Sequence, residues 1–155
     1  LEMVRRAANV DLLAVPYAGS GQALPGLLRN DVQFVLDTVT ATLGPVGNNQ
    51  VRPLAVSLGQ RAGSLPQIPT FTEAGVALEA DAWNAVFAPA GTPPEAIRAL
   101  NAAMNTAISD PAMREGFVRS GAEPIGGTPD DLAAMVRRDR GKWGPIIQAL
   151  GLRAQ

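Results

Sequence analysis

The chain has 155 residues, of which 46% are hydrophobic and 17% charged, with a formal net charge of −1 at pH 7. This composition predicts a folded globular protein, and the scattered basic residues, densest at Arg137, Arg138 and Arg140, argue against a nucleic-acid-binding face. The absence of histidine and cysteine excludes Ser-His-Asp and Cys-His catalysis and any histidine- or thiolate-ligated metal site. We therefore expect no metal and no cofactor, and the apolar runs fall short of the ~18 residues of a membrane span.

The first two thirds of the sequence alternate between predicted strands and predicted helices. Apolar runs predict strands at 10–16, 32–38, 51–58 and 81–91. Between them we predict a helix from Ser20, as its N-cap, to about Arg29 with Pro25 near its first turn, and a short helix within 39–49. This alternation favours an α/β fold in which a mostly parallel sheet is flanked by helices.

The segment between the third and fourth predicted strands carries a helix-start signal. Thr70 and Glu73 stand three residues apart, as in a capping box, and Gly75 follows as a candidate C-cap. We therefore predict a loop and a short helix at 64–76.

The rest of the sequence is predicted to be mostly helical. Start signals at Thr92–Pro93, Asp110–Pro111 and Thr128–Pro129 predict three further helices that end near residue 109, at Gly121 and near Leu150. Gly144–Pro145 should kink the last of them. At the other end, "LEMVRRAANV" reads as a helix already in progress rather than a signal peptide, so we expect the natural start of the protein to lie upstream.

A bend rich in glycine and free of charged side chains, "YAGSGQ" at 17–22, joins the first predicted strand to its helix. Backbone N–H groups at such a helix start attract anions through unsatisfied donors and the helix dipole. Gly19 and Gly21 would let a ligand approach the backbone, while Ser20, Gln22 and Tyr17 add neutral polar groups. The alternative is a plain tight turn in which Ser20 caps the helix.

Other candidate residues have structural interpretations as well. Asp37 and Thr38 end the second predicted strand, where Asp37 could accept a bond from a ligand or cap the next segment. Trp83 and Asn84 could line a cleft, or Trp83 could belong to the core. The candidate acid–base carboxylates are Asp37, Glu73, Glu79 and Asp81, and no two of them form an evident catalytic pair, so the sequence does not favour an enzyme.

Four stretches carry recognisable motifs: "AVPYAGSGQALPGLLRNDVQFVLDT", "VRPLAVSLGQRAGSLPQIPTFTEAGV", "WNAVFAPAGTPPEAIRALNAAM" and "GAEPIGGTPDDLAAMVRRDRGKW". Together they resemble one known family, the TctC/Bug-type substrate-binding proteins of tripartite tricarboxylate transporters. Their counterparts in the family are V-P-Y-x-G, L-P-x-V-P-T-x-x-E-A-G, A-P-A-G-T-P and G-A-E-P-x-G-G. The resemblance covers nearly the whole chain in order. The chain departs from the family pattern at Ala18, where lysine is common, at Leu36, where phenylalanine precedes the aspartate, and at Asn30, where glycine is common.

The resemblance implies a periplasmic-binding-protein type II-like lobe with additional C-terminal helices. Residues 1–90 would form the second ligand-binding lobe. Residues 91–155 would return through the hinge to complete a first lobe that is itself absent. In this family the loop after the tyrosine faces the ligand, which implies ligand contacts from Tyr17, Ala18, Gly19, Ser20, Gly21, Gln22, Ala23, Asp37 and Thr38.

The function implied is that of an extracytoplasmic receptor, not an enzyme. Such a receptor holds a small organic acid or amino-acid-like solute and passes it to membrane transporter subunits in the periplasm, which the receptor reaches with a signal peptide that this chain does not contain. A lobe on its own is expected to bind weakly and to dimerise or exchange segments between copies. The alternatives are an interaction or signalling module that retains the fold without a transport ligand and, less favoured, an α/β enzyme that uses Asp37.

Overall fold

A computed structural model of the protein describes residues 1–151, and six α-helices lie within that range. They are α1 (Glu2–Ala8), α2 (Ser20–Leu28), α3 (Val39–Gly47), α4 (Pro94–Ser109), α5 (Pro111–Arg119) and α6 (Pro129–Ala149). Each lies where the sequence predicts a helix. None of the described helices combines the length and the apolar character that crossing a membrane requires.

The chain divides into two compact units. The first unit comprises Leu1–Trp83 and Arg114–Pro124, and the second comprises Asn84–Met113 and the segment from Ile125 onward. This division does not coincide with the predicted boundary after residue 90, because residues 84–90 group with the second unit and residues 114–124 with the first. The assignment of the two parts to receptor lobes stays a prediction.

The four predicted strands do not form strands in the described part of the chain. The strand-type pairing found there is an isolated parallel bridge between Val56 and Thr70, in which the Val56 N–H donates to Pro69 O and the Phe71 N–H donates to Val56 O, both at 2.9 Å. An apolar run becomes a strand only when a neighbouring strand supplies its backbone partners, and no such ladder joins the predicted segments. Leu13, in the first of them, is 90% exposed. The parallel sheet is therefore not confirmed.

The first unit has a small apolar core. Val56, Ala62 and Leu65 are buried together, and they are packed by partly buried side chains of α3 and the following segment, namely Val39, Leu43, Val46, Leu58 and Ile68. The predicted short helix near residue 72 is a turn over residues 71–75 instead. Its capping box is confirmed, since the Thr70 N–H donates to Glu73 Oε2 at 2.8 Å and the Glu73 N–H to Thr70 Oγ1 at 3.1 Å.

Residues just after α5 belong to the first unit and pack against its other segments. Gly121 ends α5 as predicted and adopts φ +82°, and a Cβ there would lie 3.0 Å from the backbone of Thr40. Two residues later, the Glu123 carboxylate accepts the Gly63 N–H at 2.8 Å. These contacts place residues 120–124 against α3 and the core segment.

In the second unit, α4 and α6 are linked through the glycine pair that precedes α6. The Gly127 N–H donates to Asn105 Oδ1, and the Gly127 carbonyl accepts from Nδ2 of both Asn105 and Asn101, each at 2.9 Å. Thr128 is the N-cap of α6, where the sequence predicts a helix start, and it forms a reciprocal capping box with Asp131. The helix continues through Pro145 to Ala149. Thr92 does not cap α4, because Pro93 occupies the N-cap and the Thr92 hydroxyl donates to Pro89 O.

Candidate functional site

The predicted glycine bend forms the start of α2. Gly19 is the N-cap with φ 142°, and Ser20 is the first helical residue. The prediction that Ser20 caps the helix is therefore wrong: no side chain accepts an N–H of the first turn, and the Ser20 hydroxyl donates to Asp37 Oδ1 at 2.7 Å. Pro25 lies inside α2 rather than near its first turn, so the carbonyl of Gly21 lacks the usual helical donor.

Three consecutive backbone amides of this bend have no acceptor among the described residues. The N–H groups of Gln22 and Ala23 donate to the Gly19 carbonyl at 3.0 and 3.1 Å, whereas those of Gly19, Ser20 and Gly21 donate to no atom of residues 1–151. A Cβ added at Gly19 or Gly21 would meet nothing within 4 Å. The bend therefore offers accessible N–H donors at the positive end of a helix dipole.

Asp37 and Thr38, at the end of the second apolar run, lie beside this bend. Asp37 Oδ1 accepts the Ser20 hydroxyl and also the Thr38 N–H at 2.8 Å. The cap of α3 is Thr38, whose hydroxyl accepts the Ala41 N–H at 3.3 Å. The capping role that the sequence allows for Asp37 thus belongs to its neighbour, and Asp37 joins the starts of α2 and α3.

Tyr17 packs against the far end of α2. The residue is half-buried, and a Cβ built on Gly26 would lie 2.5 Å from its hydroxyl oxygen. Gly26 is itself buried. Sequence reasoning missed Gly26, although a glycine in the middle of an apolar helical pattern is a recognised sign of close packing.

No arginine or lysine occurs between Tyr17 and Leu28, and Arg29, just after α2, pairs with Asp31 at 2.8 Å. Glu73 is held by its capping box and by Arg61, whose guanidinium hydrogen bond, with that of the Thr70 amide, lowers the pKa of this carboxyl below its ordinary 4.5. The described residues contain no group of three or more acidic side chains that could hold a metal ion. Trp83 is 37% exposed, and Asn84 is exposed at the start of the second unit.

A family model decides what kind of protein this arrangement belongs to. The model of the TctC family, described as the tripartite tricarboxylate transporter family receptor, matches residues 1–152. The chain belongs to the TctC family. The resemblance seen in the sequence motifs is thereby confirmed.

Known TctC-like proteins extend the comparison. A UPF0065 protein from the tcbD-tcbE intergenic region of a Pseudomonas species is 36% identical over 149 residues, which are 95% of this chain and 44% of that protein. The structure of Rhodopseudomonas palustris Rpa4515 with adipate matches with a TM-score of 0.87 at 32% identity, over 97% of this chain and 50% of the other. The periplasmic binding protein BugD matches with a TM-score of 0.79 at 29% identity, over 99% of this chain and 52% of its own.

These likenesses assign the chain the fold of a periplasmic binding protein over about half the length of the proteins that it matches. The relatives are receptors, and the structure of Rpa4515 was determined with a dicarboxylate.

Proposed function

We propose that the chain is the part of an extracytoplasmic receptor that contributes the α2 side of a binding site for a small carboxylate-bearing solute. One observation carries the proposal. The amides of Gly19, Ser20 and Gly21 have no acceptor among the described residues, and Gly19 and Gly21 are exposed, in a chain of the TctC receptor family.

The chemistry of the bend suits a carboxylate held without a salt bridge. Amides at a helix start donate to carboxylate oxygens, and the helix dipole favours the negative charge. The hydrogen bond between Ser20 and Asp37 fixes the first turn of α2, so the donors need little reorganisation on binding. The second carboxylate oxygen of Asp37, which has no partner among the described residues, is placed to accept a hydroxyl or ammonium group of the solute.

Family membership supports a proposal for the wider role. The receptor would work in the periplasm and deliver its solute to the membrane subunits of a tripartite transporter. Within the complete receptor we propose that residues 10–16, 32–38, 51–58 and 81–91 pair as a mostly parallel sheet. Catalysis by Asp37 is disfavoured, because Oδ1 already accepts two hydrogen bonds and no second carboxylate of the described chain pairs with it.

Self-association of the isolated chain is proposed on a separate ground. None of the described residues of the second unit is buried, and Val86, Phe87 and Ile125 are 66%, 68% and 74% exposed. Apolar surface of this kind tends to be covered by another molecule. Light scattering should therefore give a mass that rises with protein concentration, and a constant monomer mass would exclude self-association.

The solute proposal is tested by titrating the ¹⁵N-labelled chain with adipate and following its amide resonances by NMR. Because a receptor site is shared between two lobes, we expect weak binding, with a Kd of about 1 mM or more, equivalent to about 4 kcal/mol. The N–H resonances of Gly19, Ser20 and Gly21 should shift most. The uncharged diamide of adipic acid should shift them far less, since it lacks the anionic oxygens.

Two matched glycine variants test whether adipate causes these amide shifts by binding at the bend. Gly21→Val adds a side chain next to the free amides, where no atom lies within 4 Å and the backbone is not left-handed, and should abolish the shifts. Gly44→Val makes the same change in the same open surroundings on α3 and should leave them intact. Adipate shifts spread over the whole chain, or undiminished in Gly21→Val, would refute the assignment of the site to this bend.

A further inference from the structure

We propose that Gly26 is a positioning residue for the solute site. Because Gly26 has no side chain, the Tyr17 ring packs directly on α2 at this position, which we call the seat of the ring. The seated ring in turn fixes the bend that follows Tyr17. The proposal rests on the proposed function, because the bend is the site that Gly26 would support. It adds a residue to which neither the family motifs nor the site geometry assign a role.

The seat is defined by three close distances. A Cβ added at Gly26 would lie 2.5 Å from the Tyr17 hydroxyl oxygen, 2.9 Å from Cζ and 3.3 Å from Cε1. Ordinary contacts of a Cβ start near 3.4 Å, so any side chain at this position must displace the ring. The edge of the tyrosine therefore occupies the volume that an alanine methyl group would need.

Gly26 differs in this respect from the other helical glycines of the described chain. A Cβ at Gly21, Gly44, Gly47, Gly116, Gly141 or Gly144 would meet nothing within 4 Å. Glycine inside a helix costs about 0.5–1 kcal/mol of stability relative to alanine. Among these positions, Gly26 alone has a neighbouring side chain, that of Tyr17, packed into the space that a Cβ would occupy. It is also the buried one of the set.

The displacement would reach the donors through a short length of chain. One residue, Ala18, separates Tyr17 from Gly19, whose amide is the first of the three free donors. The Ala18 N–H holds the bend only through a long 3.4 Å contact to Gln22 Oε1. The Ser20–Asp37 hydrogen bond holds the bend from the helix side, so the position of the ring acts chiefly on residues 18 and 19, on the side of the bend that precedes the helix.

Tyr17 also has a hydroxyl with no hydrogen-bond partner among the described residues. Seated on Gly26, this half-buried group can donate to a solute oxygen without first breaking a bond within the protein. Moving the ring would then affect the solute twice, by shifting the amides and by withdrawing a neutral donor.

The test compares Gly26→Ala with Gly44→Ala, which makes the same change at an open helical position of α3. Tyr17 is the sole tyrosine of the chain, so its ring resonances can be assigned without ambiguity. In Gly26→Ala we expect these resonances and the amides of Gly19–Gly21 to shift before any solute is added, and adipate affinity to fall about tenfold or more. Gly44→Ala should change neither, and circular dichroism should show both variants folded.

A second variant separates positioning from general damage to the helix. Tyr17→Phe in the Gly26→Ala background removes the atom at 2.5 Å and leaves the nearest at 2.9 Å, so it should return part of the Gly19–Gly21 amide shift. A merely structural role for Gly26 would give no such rescue.

Three outcomes would overturn the proposal. Unchanged Tyr17 resonances in Gly26→Ala would contradict the contact between Gly26 and the ring. Shifted Tyr17 resonances with unchanged Gly19–Gly21 amide resonances would contradict the link between the ring and the bend. Shifted Gly19–Gly21 amide resonances with undiminished adipate affinity would contradict a role of Gly26 in solute binding. Failure of the unmodified chain to bind adipate would instead count against the proposed function, and the amide shifts caused by Gly26→Ala would still report on the seat.

Discussion

The two compact units stabilise themselves in different ways. The first unit buries Val56, Ala62, Leu65 and Leu78, whereas no described residue of the second unit is buried. The second unit is organised instead by polar contacts, chiefly those of Asn105 with the backbone that precedes α6. Apolar burial is cooperative and distributed over many atoms, while a hydrogen-bond clamp depends on single groups.

This difference bears on function, because the candidate site belongs to the unit with the core. A binding loop needs a support that holds its donors in place. The site residues lie at the starts of α2 and α3, and Val39 and Leu43 of α3 pack on the core. The glycine bend at which we propose solute binding is thus tied, through Asp37 and Thr38, to the better-packed part of the molecule.

The largest expected difference between the units comes from truncating a core leucine. Leu65→Ala removes a side chain that is 5% exposed and should lower the free energy of unfolding by about 2–5 kcal/mol. Leu100→Ala, the same change at a residue of α4 that is 56% exposed, should cost well under about 1 kcal/mol. Urea unfolding followed by circular dichroism measures both, and equal costs would contradict the contrast drawn here.

Glycine-to-alanine changes in and after α5 should have opposite signs. Gly121→Ala forces a side chain into a φ of +82°, 3.0 Å from the Thr40 backbone, and should cost about 2 kcal/mol. Gly116→Ala, at an open helical position, should gain about 0.5–1 kcal/mol. Thermal unfolding of the two variants tests whether residues 120–124 belong to the packed first unit, and a stabilising Gly121→Ala would refute it.

The hydrogen bonds between Asn105 and Gly127, here called the clamp, should depend mainly on the Asn105 side chain. Asn105→Ala removes a side chain that bonds both the N–H and the carbonyl of Gly127 and should cost about 1–2 kcal/mol locally. Asn101→Ala removes one bond to the same carbonyl and should cost less. Hydrogen exchange of the Gly127 amide is the measurement, because its protection should fall in Asn105→Ala and persist in Asn101→Ala. Unchanged protection in both variants would mean that the clamp does not hold the second unit.

Signals confined to a few neighbouring residues predicted the structure well. Thr70 and Glu73 form the capping box that their three-residue spacing indicates, and Thr128 caps α6 where its Thr-Pro signal predicts a helix start. The helices follow apolar periodicity and start signals because both act within one or two turns. The glycine bend at the start of α2 was predictable for the same reason.

Features that depend on distant partners were not predictable. Ser20 fits an N-cap by residue type, but Asp37, seventeen residues away, takes its hydroxyl. The apolar runs fit strands by composition, yet a strand also requires a neighbour, and in the described chain Val56 finds one only at Thr70. The Tyr17 seat on Gly26 similarly joins two positions that no local motif connects.

The smallest expected effect concerns an exposed carboxylate of the first unit. The hydrogen bond from Arg61, together with that from the Thr70 amide, lowers the pKa of Glu73 in the folded state. Between the lowered pKa and the ordinary 4.5 the unfolded chain binds more protons, so this stabilisation is present above pH 4.5 and disappears as the pH falls through the folded-state pKa. Glu73→Gln should therefore flatten the loss of stability on acidification.

Urea unfolding at a series of pH values below neutrality measures that slope. Arg61→Gln should flatten it as well, because the guanidinium is the larger cause of the lowered pKa. Arg52→Gln, which removes an arginine without an ion-pair partner among the described residues, should keep the original slope. If the original chain and Glu73→Gln lost stability in parallel, the hydrogen bonds of Glu73 with Arg61 and Thr70 would not contribute to the free energy of unfolding. The stability of the first unit would then be attributed to its apolar core.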